Sequence, residues 1–265
     1  MKIWYQSASS YGFEPVWDDY GQALHEQCKG AARPDTKIDI RGIEVMVRDV
    51  ENYPAVKYFQ KSQIINNIVR AEREGYDAVA IGCTLDVGLE EGRSLVDIPV
   101  VSIAESNFHM AMMLGHLYAV VTSSMAFFNV FKSLTEQYGV ASRYLPGPYI
   151  CPASEEEIAQ SLKDPKPLWE RFEQVAGRAV DDGASILLPF PTFYGSLAFR
   201  SGVTQVRDAV ILDVVAVLVK TAEMMADLRA LGVAPSRSIG VYAMPDAQRR
   251  PALEKLQSIL KMELR

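Results

Sequence analysis

Cys83 is the residue whose type and position point most directly to chemistry. It ends the apolar run Tyr76-Asp-Ala-Val-Ala-Ile-Gly-Cys-Thr84, where a strand gives way to Thr84-Leu-Asp-Val-Gly-Leu89 and a helix holding Glu90 and Arg93. Backbone N–H groups at such a junction favour an anion, so the spacing predicts a thiol of lowered pKa, able to act as a base or a nucleophile. The competing reading is plain burial, because an isolated cysteine is more often a small apolar core residue. Cys28 falls on one helical face with Trp17, Tyr20 and Leu24, which is the spacing of core packing. Cys151, between Ile150 and Pro152, sits in an irregular connection with no neighbouring base. Both read as structural.

Hydroxyls supply the second set of candidates. Thr122-Ser123-Ser124 follows the apolar run Leu117–Val121 and opens a helix. Its hydroxyls and N–H groups could bind a carboxylate or carbonyl oxygen, and the tract could equally do no more than cap the helix. Ser7, Ser9 and Ser10 follow the first strand and admit the same two readings, ligand contact or a satisfied turn. His109 and His116 read as packed or surface imidazoles, with no paired acid at a telling distance.

The elements that must position these groups follow from periodicity. Strand-length apolar runs (2–5, 37–41, 77–82, 100–103, 118–122, 185–188 and 210–212) alternate with helical segments such as 54–74, 124–138, 213–231 and 251–262. Several runs are apolar on both faces, as strands of a parallel sheet covered by helices must be. The fold class is therefore α/β, with mainly parallel sheets flanked by helices. An internal repeat divides it: residues 76–83 followed by 98–103 are echoed by 183–190 followed by 209–214. Two similar lobes are expected, residues 1–103 plus 213–265 and residues 104–212, with a ligand cleft beyond their strand ends.

The chain of 265 residues carries 33 acidic and 27 basic side chains and is 49% apolar. No basic cluster tracks a phosphate backbone, so nucleic acid is not an expected partner. The opening Met1-Lys-Ile-Trp-Tyr-Gln-Ser turns polar early and reads as a strand rather than a signal peptide, and Val210 to Val219 is short and broken by Asp213. No membrane association is expected, and the cytoplasm is the expected location. No phosphate-binding glycine motif or metal-ligand spacing is present, so neither a cofactor nor a metal is implied.

The segments Gly82-Cys-Thr-Leu-Asp-Val-Gly-Leu89, Asp97-Ile-Pro-Val-Val-Ser-Ile-Ala-Glu-Ser106, Val120-Val-Thr122 and 210–223 together resemble hydantoin and allantoin racemases of the aspartate/glutamate racemase superfamily. The resemblance implies two α/β halves with the substrate between them, no cofactor, and a homo-oligomer as a common state. It also implies two cysteines, one from each half, that move a proton between opposite faces of a carbon acid. Cys83 falls on the first position, whereas the second, after Ser185-Ile-Leu-Leu-Pro189, is occupied by Phe190. Arylmalonate decarboxylases of the superfamily keep the other cysteine alone, and in maleate isomerases the cysteine of the first half is a nucleophile. The expectation is a cofactor-independent, racemase-like isomerase of a small carboxylate, amide or cyclic imide, working through Cys83. Ser7, Thr84, Thr122 and Ser123 are expected to hold the developing oxyanion, Phe190 to wall the pocket, and Tyr194 to wall it or replace the missing acid. A single-cysteine hydrolase or decarboxylating lyase, and a non-catalytic small-molecule binder, are the alternatives.

Overall fold

Residues Ala78–Gly82, which lead to Cys83, form a strand buried along its whole length, as Ala, Val and Ile do between two helical layers. In the computed structural model, which describes residues 1–47, 53–236, 240, 242 and 244–260, this strand is β3 of a first sheet. That sheet is ordered β2-β1-β3-β4, with β1 at Lys2–Ser7, β2 at Lys37–Arg41 and β4 at Val100–Ser102. The second sheet is ordered β6-β5-β7-β9-β8. Its strands are β5 (Tyr118–Thr122), β6 (Tyr149–Ile150), β7 (Ile186–Pro189), β8 (Gln205–Val206) and β9 (Ala209–Ile211). Every pairing is parallel except β8 with β9. The α/β class is the one read from the sequence. The strands that periodicity did not reveal, β6 and β8, span two residues each, too few to show a period.

Around the sheets lie α1 (Asp18–Ala31), α2 (Pro54–Arg73), α3 (Leu89–Leu95), α4 (Ile103–Leu114), α5 (Met125–Gln137), α6 (Glu155–Ser161), α7 (Lys166–Asp181), α8 (Thr192–Ser201), α9 (Val214–Ala230) and α10 (Asp246–Leu260). Residues 261 and 262 of the expected tail helix lie outside the described residues. Among the described residues no helix is long and apolar enough to cross a membrane. Asp213 caps α9 by accepting from the N–H groups of Val215 (3.2 Å) and Ala216 (3.0 Å). α9 then packs on β3, β4, α1 and α4, so the chain returns to the first sheet after completing the second.

The repeat in the sequence is a repeat in geometry. α2 ends at Gly75, φ +75°, with Gly75 N–H donating to Glu72 O (3.0 Å) and Tyr76 N–H to Ala71 O (3.1 Å). α7 ends at Gly183, φ +104°, with Gly183 N–H donating to Val180 O and Ala184 N–H to Ala179 O, both 2.9 Å. Each helix is stopped by a left-handed residue that glycine adopts without a Cβ penalty, and each releases the chain into a strand that ends at the site.

Candidate functional site

A cavity lies where the carboxyl ends of β1 and β3 meet the start of α8. Ser7, Ala8 and Ser9 line it from the end of β1, residues 82–85 and Val87 from the end of β3, and Pro191, Thr192 and Phe193 from beyond β7. α2 covers it with Lys57, Gln60 and Ile64, joined by Met46, Tyr20 and Phe127. The space amounts to about 50 Å³, room for a few water molecules and too little for a ring.

Local packing explains why these segments come so close. A Cβ on Gly82 would lie 2.4 Å from the Tyr5 ring, so only glycine lets β3 pass over that buried phenol immediately before Cys83. Thr192 Oγ1 donates to Gly82 O at 3.1 Å, tying the start of α8 to the same point. Phe193 is stacked on Trp17 at 5.2 Å and meets Tyr20 edge-on at 4.5 Å, which fixes the ring against the cavity. Ser7 and Ser9 share a hydroxyl–hydroxyl hydrogen bond of 2.8 Å, and Ser9 N–H donates to Ser7 Oγ at 3.1 Å.

Cys83 is 8% exposed. Burial pushes its thiol up to about 11, against the opposing pull of the Leu85 and Val87 N–H groups and the Lys57 charge; the nearby Asp86 adds to the rise. The expectation of a lowered thiol pKa is thus overturned. The N–H groups are present, but desolvation outweighs them because α2 closes over the sulfur. The neutral thiol is favoured in the fold, so its contribution to stability is intact below about pH 8.5, the ordinary thiol value, and is lost as the pH climbs through about 11. Alkylation of Cys83 by iodoacetamide, followed by mass spectrometry, is expected to accelerate about tenfold per pH unit between pH 7 and 10. A plateau reached by pH 8 would contradict this.

Of the residues singled out in the sequence, Cys83, Ser7 and Thr84 line the cavity, whereas Thr122, Ser123, Phe190 and Tyr194 do not. Phe190 is fully buried against Phe108 (5.7 Å) and Phe131 (5.1 Å), so it is a core ring rather than a pocket wall. The reason is register. Eight residues past Gly75 stands Cys83, and eight residues past Gly183 stands Pro191, so Phe190 matches Gly82. A slip of one residue turns a side chain to the other face. Tyr194 is buried beside Phe172, and its hydroxyl donates to Cys151 O at 2.5 Å. Burial pushes that phenol up, away from the range of a useful acid. Thr122 is buried with its hydroxyl unpartnered. Ser124 caps α5 by accepting from Phe127 N–H at 3.3 Å, the simpler of the two readings offered for that tract. His109 and His116 are exposed, and Cys28 and Cys151 are buried away from the cavity.

Three site-shaping residues escaped the sequence reading. Lys57 and Gln60 come from a helix whose pattern reveals only that it is a helix. Asp86 lies inside the motif that contains Cys83, yet its carboxylate accepts from Ser102 Oγ (2.5 Å), Tyr138 Oη (2.5 Å), and the N–H groups of Ala104 (3.0 Å) and Glu105 (2.9 Å). It therefore caps α4, which begins well downstream in the chain, and no local spacing could show that.

Comparison with known proteins agrees with this architecture. The Asp/Glu/Hydantoin racemase family profile matches residues 18–188. The hydantoin racemase of Pseudomonas sp. (strain NS671) is 30% identical over 209 residues, 78% of this chain and 81% of that one. Allantoin racemase from Klebsiella pneumoniae superposes with a TM-score of 0.74 over 93% of this chain and 94% of that one, at 23% identity. The structure of allantoin racemase from Pseudomonas fluorescens gives 0.72 over 93% and 97%, at 24% identity. A two-lobed α/β fold with parallel sheets, a strand-end cavity and these sequence relationships lead to one assignment: the chain belongs to the Asp/Glu/hydantoin racemase family.

Proposed function

We propose that this protein is a cofactor-independent isomerase of the racemase type, acting on a small carboxylate, amide or cyclic imide with Cys83 as its single reactive group. The observation that carries the proposal is the lining of the cavity. Cys83 and the Pro191–Phe193 segment both line it, and among the described residues no second cysteine, histidine or carboxylate does. Proline at the symmetric position has no proton to give, so an exchange between two thiols is not available to these residues.

One thiol serves both half-reactions instead. Cys83 takes a proton from carbon through its minor thiolate form, which the Leu85 and Val87 N–H groups favour against the larger effect of desolvation. The electron pair moves onto the adjacent carbonyl oxygen, where Ser7 and Thr84 hydroxyls can donate. The planar anion then turns over within the site, and the same thiol returns the proton to its opposite face, which inverts the carbon.

Incubation with candidate carbon acids in deuterium oxide tests this. The expected result is solvent deuterium in the product with no loss of carbon. Release of carbon dioxide would place the protein among lyases, and a thioester on Cys83 seen by mass spectrometry would place it among hydrolases; either result would overturn the isomerase reading.

A further inference from the structure

The chemistry above leaves the cover of the cavity unused. Lys57, Gln60 and Ile64 are spaced along α2 so that one face of the helix looks onto the cavity. Gln60 is 8% exposed, and its amide nitrogen is buried with no hydrogen-bond partner. A buried N–H group left unpaired is unfavourable, so a side chain kept in that state at a cavity wall calls for an acceptor from a ligand. Lys57 is half-buried one turn earlier, and among the described residues no carboxylate lies within ion-pair distance of it. Its neighbour Lys61, by contrast, is paired with Glu91 at 2.5 Å. The cover is also held in register: Gln63 Oε1 accepts from the Glu44 and Val45 N–H groups at 3.0 Å, and Gln63 Nε2 donates to Val45 O at 2.8 Å. This anchors the segment that brings Met46 to the cavity.

We propose that Lys57 and Gln60 form the anion subsite of this cavity and that the ligand it selects is a small monocarboxylate with an apolar body. The cation and the unpaired amide together match one carboxylate, the ammonium through charge and the amide as second donor. Leu85, Val87, Phe127 and Phe193 leave an apolar surface for the remainder of the molecule. No Asp or Glu lines the cavity among the described residues, so the ammonium group of an amino acid would be buried without a counter-charge. The selection is thus against α-amino acids as well as against uncharged amides.

This inference rests on the reading of the Cys83 cavity as the substrate site, and its test separates the two. Isobutyrate, isobutyramide and 2-aminoisobutyrate share a shape and differ in charge. Ligand-observed NMR titration is expected to show isobutyrate binding about tenfold or more tightly than either of the others, the ratio a charge-assisted contact supplies. Lys57→Met keeps the apolar stem and is expected to bring the acid and the amide within about twofold, with thermal melting unchanged. Gln60→Met is expected to weaken isobutyrate at least about threefold. Equal binding of acid and amide by the unmodified protein, or an acid preference that survives Lys57→Met, would overturn the subsite. The same titrations on Cys83→Ala probe the subsite without the thiol, so its failure is read independently of any failure of thiol chemistry.

Discussion

Cys83→Ala is expected to lower kcat/KM on any turned-over substrate by about 10³-fold or more while leaving the fold intact. A positioned general base or acid contributes about 10²- to 10⁴-fold, and in the proposed mechanism one group fills both roles, so its removal acts on both proton transfers. Stability should barely change. The Leu85 and Val87 N–H groups lose only a weak sulfur acceptor, and shortening the side chain to a methyl removes one atom from the cavity wall. Cys83→Ser is the sharper control: it keeps size and polarity and loses ionisability, so it should be nearly as inactive as alanine. Steady-state rates with matched thermal melts decide the matter. A Cys83→Ala protein with full turnover would exclude the thiol from the reaction.

Asp86→Ala should produce the largest loss of stability, about 3 kcal/mol in urea unfolding, because four donors lose their acceptor at once. Two of them are N–H groups at the buried start of α4, one is Ser102 Oγ, and one is the Tyr138 hydroxyl beyond α5. The carboxylate therefore fastens elements of both sheets. It does so under strain of two kinds, for Asp86 has φ +49°, a left-handed conformation that costs a side-chain-bearing residue about 1 kcal/mol or more. Burial is the second. It outweighs the hydrogen bonds and pushes the carboxyl up to about 6.

The sign of the pH dependence follows. A raised carboxyl pKa means that the folded state binds the proton more tightly than the unfolded one. The contribution is present below about pH 3.9, the ordinary Asp value, and lost as the pH rises through about 6. The stability gap between the unmodified protein and Asp86→Ala should accordingly be wider at pH 4.5 than at pH 7.5. A gap that widens with pH would show that the hydrogen bonds, not desolvation, dominate this site.

Much of the scaffold was legible because it is encoded locally. Runs such as Ala78–Gly82 and Tyr118–Thr122 are apolar on both faces, which only a covered parallel strand requires, and Gly75 and Gly183 mark the ends of the preceding helices by their freedom at positive φ. The placement of Cys83 at a strand tip was readable for the same reason. The matching position in the second half was misread by one residue, at Phe190 instead of Pro191. Counting eight residues on from Gly75 and from Gly183 gives the parity, and the structure shows its consequence, with Pro191 at the cavity and Phe190 in the core.

The sequence by itself determined the order of helices and strands, the α/β class and the single thiol at the end of β3, since these depend on propensity, periodicity and residue identity along a few neighbouring positions. Tertiary structure alone decided that α2 lies across that thiol, raising its pKa and bringing Lys57 and Gln60 to the cavity, that Phe190 and Tyr194 turn into the core, and that Asp86 caps α4. Each of these depends on desolvation or on pairing between groups far apart in the chain, and neither is a property of any short stretch of residues.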